Sequence, residues 1–178
     1  VDAAVAEFEA GGPIDVLVNN AGWDEIKPFL ETDLDLWKKI IDINLYGPLH
    51  MHHAVLPGMV RNGSGRVVNI SSDAGRVGSS GEAVYAACKG GIISFTKTVA
   101  RELARKGIQL NAVAPGLIDT PMLNAYRADQ LDAMRNMVPI GRFADPGEIA
   151  AVVSFLISDK ASYVTGETIN ANGGMFMV

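Results

Sequence analysis

The sequence predicts an α/β fold in which helices cover both faces of a parallel sheet, and three observations carry that prediction. Residues 14–19, 66–71 and 108–114 are short runs rich in Val, Ile and Leu, too apolar for a strand with one wet face, so they read as buried parallel strands. Long periodic segments, residues 33–61 and 82–106, separate them, and β-α-β-α order implies a parallel sheet with right-handed crossovers. Turn and cap residues fall at the boundaries between these segments.

Taken in order, residues 1–11 read as the tail of a helix, and the strand at 14–19 runs into Asn19-Asn20-Ala21-Gly22. Thr32 with Asp35 resembles a capping box opening the helix at 33–61. The strand at 66–71 delivers Ser72. The helix at 82–106 is closed by Arg105-Lys106-Gly107, with positive charge against the dipole and a glycine able to turn left-handed. After the strand at 108–114 comes Pro115-Gly116-Leu117-Ile118-Asp119-Thr120. Residues 121–141 mix Met122, Leu123, Met134, Met137 and Val138 with charged residues over the carboxyl end of the sheet, where open α/β folds bind ligands, and read either as a substrate lid or as an amphipathic surface helix. Asp145, Pro146 and Glu148 give an N-cap, an N1 proline and an N3 acid for a later helix. A last strand is expected near residues 167–170.

Composition narrows the function. The 178 residues are 48% hydrophobic, enough to bury one core, so residues 1–178 are expected to form a single domain. Net charge is −5 with scattered basic residues, which argues against nucleic acid as a partner. The single cysteine, Cys88, has no internal disulfide partner and fits a reducing compartment. Apolar stretches are strand-sized or interrupted by charge, so no membrane partner is expected and the chain is expected to be cytoplasmic. His50, His52 and His53 invite a metal reading, but no carboxylate or cysteine stands at ligand spacing, so they read as helix-packing histidines and no metal is expected.

The chemistry concentrates around Tyr85. Tyr85 and Lys89 stand at i and i+4, one helical turn apart on a shared face. A phenol titrates near ~10, and a neighbouring ammonium is expected to lower that value and make Tyr85 a proton-transfer group. Ser72, thirteen residues earlier, sits just past a strand's carboxyl end, where its hydroxyl would grip a carbonyl oxygen or satisfy the local turn. Asn44 stands inside a helix, where asparagine is a poor helix former.

The pattern Ser-x12-Tyr-x3-Lys, with Asn19-Asn20-Ala21-Gly22, Asn44-Leu45-Tyr46-Gly47 and Pro115-Gly116-Leu117-Ile118-Asp119-Thr120, resembles the short-chain dehydrogenase/reductase superfamily from end to end. The resemblance implies a Rossmann-like doubly wound parallel sheet and interconversion of a secondary alcohol and a ketone with NAD or NADP. It assigns Asn44, Ser72, Tyr85 and Lys89 to catalysis, with Asn44 distorting its helix and holding a water that links the lysine to solvent. It assigns Asn19, Ala21, Gly22, Tyr85, Lys89, Pro115, Gly116, Ile118 and Thr120 to the cofactor, and a homodimer or homotetramer to the assembly. Members open with a Thr-Gly-x3-Gly-x-Gly turn that selects and holds the cofactor, and this chain contains none. By that comparison it is expected to be the C-terminal two-thirds of a single domain, short of roughly 60 to 80 residues at about 30 per βαβ unit.

Residues 73–91 and 49–60 look similar to 2-hydroxycyclohexanecarboxyl-CoA dehydrogenases, 3-oxoacyl carrier-protein reductases and 3-hydroxyacyl-CoA dehydrogenases, which implies a hydroxyacyl or oxoacyl thioester substrate. The alternatives are a catalytically silent nucleotide-binding or assembly module, and an inactive fragment lacking the glycine-rich loop. Asn172 stands where many members carry aspartate, a departure expected to cost little.

Overall fold

The structure, a computed structural model, describes every residue except Met122, Asn124 and Ala125. Four strands form one parallel sheet in the order β1 (Val16–Asn19), β2 (Gly65–Ile70), β3 (Ile108–Pro115) and β4 (Thr168–Ala171). Register aligns Asn19 with Asn69, Asn69 with Ala112 and Ala112 with Thr168. The carboxyl ends of β1, β2 and β3 therefore open on one edge of the sheet, above which the loops converge.

The two-residue alternation of strand side chains splits the core in two. Leu17, Val67, Ile108 and Leu110 pack with Val5 of α1 (Asp2–Glu9), Val55 and Met59 of α3 (Gly47–Asn62) and Ala100 of α5 (Ala83–Leu103). Val68 and Val113 face the other way, against Ile149 and Leu156 of α7 (Pro146–Leu156). Each of these Val, Leu, Ile and Met side chains contributes about 1.5–3 kcal/mol by leaving water. The sheet is thus covered on both faces, as an α/β fold with buried parallel strands requires.

The remaining helices are α2 (Leu34–Ile41), α4 (Ala74–Val77) and α6 (Ala128–Asn136). The expected helix at 33–61 is in fact α2 and α3 joined through a π-helical turn, Asp42–Tyr46. Its cap lies one residue beyond the expected Thr32: the Asp33 carboxylate accepts from the Leu36 amide at 2.8 Å, while the Thr32 hydroxyl donates to the Phe29 carbonyl and accepts from the Trp37 indole. The box at Asp145 is as expected, with the Glu148 carboxylate accepting from the Asp145 amide at 2.9 Å and Asp145 accepting from the Gly147 amide at 2.7 Å. Met122 of the expected lid lies outside the described residues, and α6 occupies the middle of that segment with no buried residue.

Among the described residues β1 pairs with β2 alone. Val16 and Val18, on one face of β1, stay about 40% exposed, while Leu17 on the other face is buried.

Candidate active site

The site grows from the carboxyl end of β2. Its last residue is followed by Ser71, whose hydroxyl donates to the Lys89 carbonyl at 2.9 Å, and Ser72, whose hydroxyl accepts from the Ala74 amide at 3.1 Å. The single-turn α4 then crosses α5 in backbone contact. A Cβ on Gly75 would fall 2.6 Å from the Lys89 carbonyl carbon, so only glycine permits this approach. The crossing brings Ser72 near enough to Tyr85 for its hydroxyl to hold the phenol's pKa down.

Lys89 is 4% exposed, and its ammonium donates to the Ile70 carbonyl at 2.8 Å while lying 5.4 Å from the centre of the Tyr85 ring. Burial pushes its pKa down to about 8, against a smaller upward pull from Cys88. Tyr85 departs from expectation. Burial pushes its phenol up to about 12; the Ser72 hydroxyl pulls the other way, and Glu82 and Asp24 add to the rise. Lys89 leaves the phenol without the acidity expected of a lysine neighbour, because the ammonium is drawn to the strand carbonyl below the ring and two carboxylates lie nearby. At neutral pH Tyr85 therefore holds its proton.

Asn44 is fully buried within the π-helical turn, the local distortion expected of it. Its amide donates to the Trp23 carbonyl at 2.6 Å and the Ile40 carbonyl at 2.9 Å, and its carbonyl accepts from the Trp23 amide at 3.2 Å. Both amide protons are committed to the backbone. Only the Asn44 carbonyl oxygen keeps a free accepting position toward a water. What Asn44 visibly does is hold the turn after β1 against the helix.

That turn carries the first cofactor residues. Asn19 spends its amide inside the sheet, donating to the Asn69 carbonyl at 2.9 Å, in a buried cluster with His52 and Thr96. Ala21 and Gly22 are exposed beyond it. A Cβ on Gly22 would stand 3.2 Å from the Asn44 oxygen and 3.4 Å from the Lys89 ammonium, so the bare backbone leaves space beside a cation with donors to spare.

The second loop leaves the end of β3. The Pro115 carbonyl accepts from the Asp73 amide at 3.1 Å, which sets the loop beside Ser72, and the Gly116 amide donates to the Ala171 carbonyl at 3.2 Å. Ile118 bridges to Ala144, and the Thr120 carbonyl accepts from the Leu123 amide at 2.9 Å. The start of this loop thus stands beside the Ser72 turn.

Two residues escaped the reading of the sequence. Asp24 follows the Asn-Asn-Ala-Gly run by two positions, and Glu82 precedes Tyr85 by three, the spacing of one helical turn. Both line a shallow depression with Lys27, Phe29 and Thr32, where the Lys27 amide donates to the Gly81 carbonyl at 2.9 Å. Burial chiefly, with the charge of Glu82, pushes the Asp24 carboxyl up to about 6. Of the three histidines only His52 packs inside, edge-on to Phe95 at 4.7 Å, while His50 and His53 are exposed.

Comparison with known proteins agrees with this geometry. A family profile described as Enoyl-(Acyl carrier protein) reductase, of the short-chain alcohol dehydrogenase type, matches residues 1–176. The 3-oxoacyl-(acyl-carrier-protein) reductase FabG of Vibrio harveyi is 47% identical over 167 residues, covering 94% of this chain and 68% of its own length. The acetoacetyl-CoA reductase of Shinella zoogloeoides is 47% identical over 176 residues, 98% of this chain and 73% of its own. A crystal structure of 3-oxoacyl-(acyl-carrier-protein) reductase from Brucella melitensis superposes with a TM-score of 0.93 at 38% identity, over 99% of this chain and 69% of that one. With the serine, tyrosine and lysine gathered at one end of a parallel sheet, the chain belongs to the short-chain dehydrogenase/reductase family.

Proposed function

We propose that the chain carries the catalytic centre of a nicotinamide-dependent oxidoreductase that interconverts 3-oxoacyl and 3-hydroxyacyl thioesters. The observation that supports it most is Ser72 and the buried Lys89 ammonium gathered around a Tyr85 phenol that keeps its proton at neutral pH. Such a phenol is a general acid for a carbonyl oxygen. Ser72 orients that oxygen, and Tyr85 gives it the proton. Lys89, bound to the Ile70 carbonyl and with two further donors, faces the Gly22 cradle and suits a ribose hydroxyl pair. When bound, NAD or NADP supplies the hydride. Ala21, Gly22, Pro115, Gly116, Ile118 and Thr120 are proposed to line that cofactor through their backbone and the Thr120 hydroxyl. Asn19 serves by keeping the end of β1 in place.

The thioester is proposed from the reductases this chain resembles, which are named for 3-oxoacyl and acetoacetyl groups. Rates of NADH and NADPH oxidation should be compared on acetoacetyl-CoA, a cyclic ketoacyl-CoA, a keto sugar and a ketosteroid. We expect kcat/KM at least about tenfold higher for the thioesters, a discrimination of ~1.4 kcal/mol. Equal rates on all four would remove the thioester assignment. The same reading extends to one Rossmann-like domain in which residues 121–141 cover the substrate, a cytoplasmic setting, and a homodimer or homotetramer.

A further inference from the structure

The loop that carries Ser72 has little to hold it locally, because α4 is a single turn of four residues and one turn has too few hydrogen bonds to offset its nucleation. Besides the Pro115 carbonyl and the packing of Gly75 on α5, its anchors come from about a hundred residues further along the chain. The Asp73 carboxylate accepts from the Asn172 amide at 3.1 Å, and Asn172 in turn donates to the Phe176 carbonyl at 2.9 Å and accepts from the Gly174 amide at 3.0 Å. Arg76, at the other end of the turn, donates to the Thr168 carbonyl at 3.1 Å and the Val178 carbonyl at 2.8 Å. Asp73 and Asn172 are 5% and 7% exposed, so their bond is made out of water, where it is stronger and costly to lose.

Building on the reductase reading, we propose that Asp73 is a positioning residue: through Asn172 it fastens the Ser72 loop to the turn at residues 172–174, so that the end of the sheet, not α4 itself, sets where the Ser72 hydroxyl stands. The chemistry of the pair is specific. Asp73 is acceptor only when ionised, and Asn172 supplies the donor. An aspartate at 172 would set two carboxylates together in a buried place, so the asparagine there is a matched partner and its departure from aspartate is not the small matter the sequence suggested. Burial raises the Asp73 carboxyl, against the pull of Asn172 and Arg76. The groups packed around it are Arg76 on α4, the Pro115 carbonyl of β3, the uncharged Asn172, and α5, whose Lys89 ammonium is engaged at the Ile70 carbonyl.

The test uses the full chain and three variants. Asn172→Asp at pH 7.5 should lower kcat for ketone reduction about tenfold with KM within about twofold, since a displaced Ser72 misplaces the reacting oxygen. Part of that loss should return at pH 6, because one proton shared between two carboxylates rebuilds the hydrogen bond. Asp73→Asn added to Asn172→Asp re-forms the bond with donor and acceptor exchanged and should bring kcat to within about threefold of the parent. The Phe176 carbonyl loses its donor in both, so the comparison isolates the 73–172 contact. A loss that neither low pH nor the exchange repairs would overturn the proposal, as would no loss at all.

Amide hydrogen exchange supplies a readout independent of turnover. Residues 72–77 should exchange faster in Asn172→Asp while the β2 and β3 amides stay protected, and unchanged protection would overturn the tie. If the parent chain reduces no ketone, the reductase reading fails, while the exchange result still decides the fastening. Should Asn172→Asp not fold, Asp73→Ala takes its place, judged by an about tenfold fall in kcat with KM within about twofold and by faster exchange of residues 72–77; no change in either would overturn the proposal.

Discussion

Asp24 is the residue whose physics is least like its surface counterparts. Its folded pKa of about 6 lies above the usual carboxylate value of 3.8, so the folded state holds a proton that the unfolded chain has already released. Stability therefore falls as pH rises from about 4 to 6 and stays reduced above that. Asp24→Asn removes the penalty, and thermal melts should show it stabilised by about 1–2 kcal/mol at pH 7, after discounting for solvent screening, but not at pH 4. A variant no more stable at pH 7 than the parent would contradict the burial of that carboxyl. The same substitution takes a negative charge away from Tyr85, so the rise of alcohol oxidation with pH should shift to lower pH.

Ser72, Tyr85 and Lys89 were legible in the sequence because an i, i+4 pair must share a helix face whatever the tertiary structure. The acidity of the phenol was not. It depends on burial, on where the Lys89 ammonium turns, and on two carboxylates brought in from the turn after β1 and the start of α5, none of which spacing encodes.

At the scale of elements, the parallel strands and the α5 helix were readable from uninterrupted apolar runs and a left-handed glycine stop, Gly107 at φ 78°. The π-helical turn was not, since its cause lies across the molecule: Asn44 reaches out of its own helix to the Trp23 backbone. Asn44→Leu would leave the Trp23 and Ile40 groups without partners in a buried place and should cost about 2–3 kcal/mol by denaturant unfolding. It should also depress turnover, because the Gly22 turn loses its anchor. A cost below ~0.5 kcal/mol would mean the turn is held by something else.

At the scale of the whole molecule, Leu30 in the connection from β1 to α2 is 94% exposed and Leu34, which opens α2, is 73% exposed. Scattered apolar residues are ordinary on a surface, so the proposed assembly rests on family membership. Light scattering of the purified protein is expected to give the mass of two or four chains, and a monomeric mass across the micromolar range would count against the proposed assembly. The sequence implied an assembly through the family resemblance.

The central claim is that Tyr85, paired with Ser72, gives the proton to the substrate oxygen. Tyr85→Phe keeps the ring and removes only the hydroxyl, so the ring's packing in α5 should survive, as circular dichroism would record. Nicotinamide-dependent reduction of acetoacetyl-CoA should fall by about a thousandfold or more in kcat, within the range expected for loss of a general acid. Turnover within tenfold of the parent, in a variant that folds, would contradict the account.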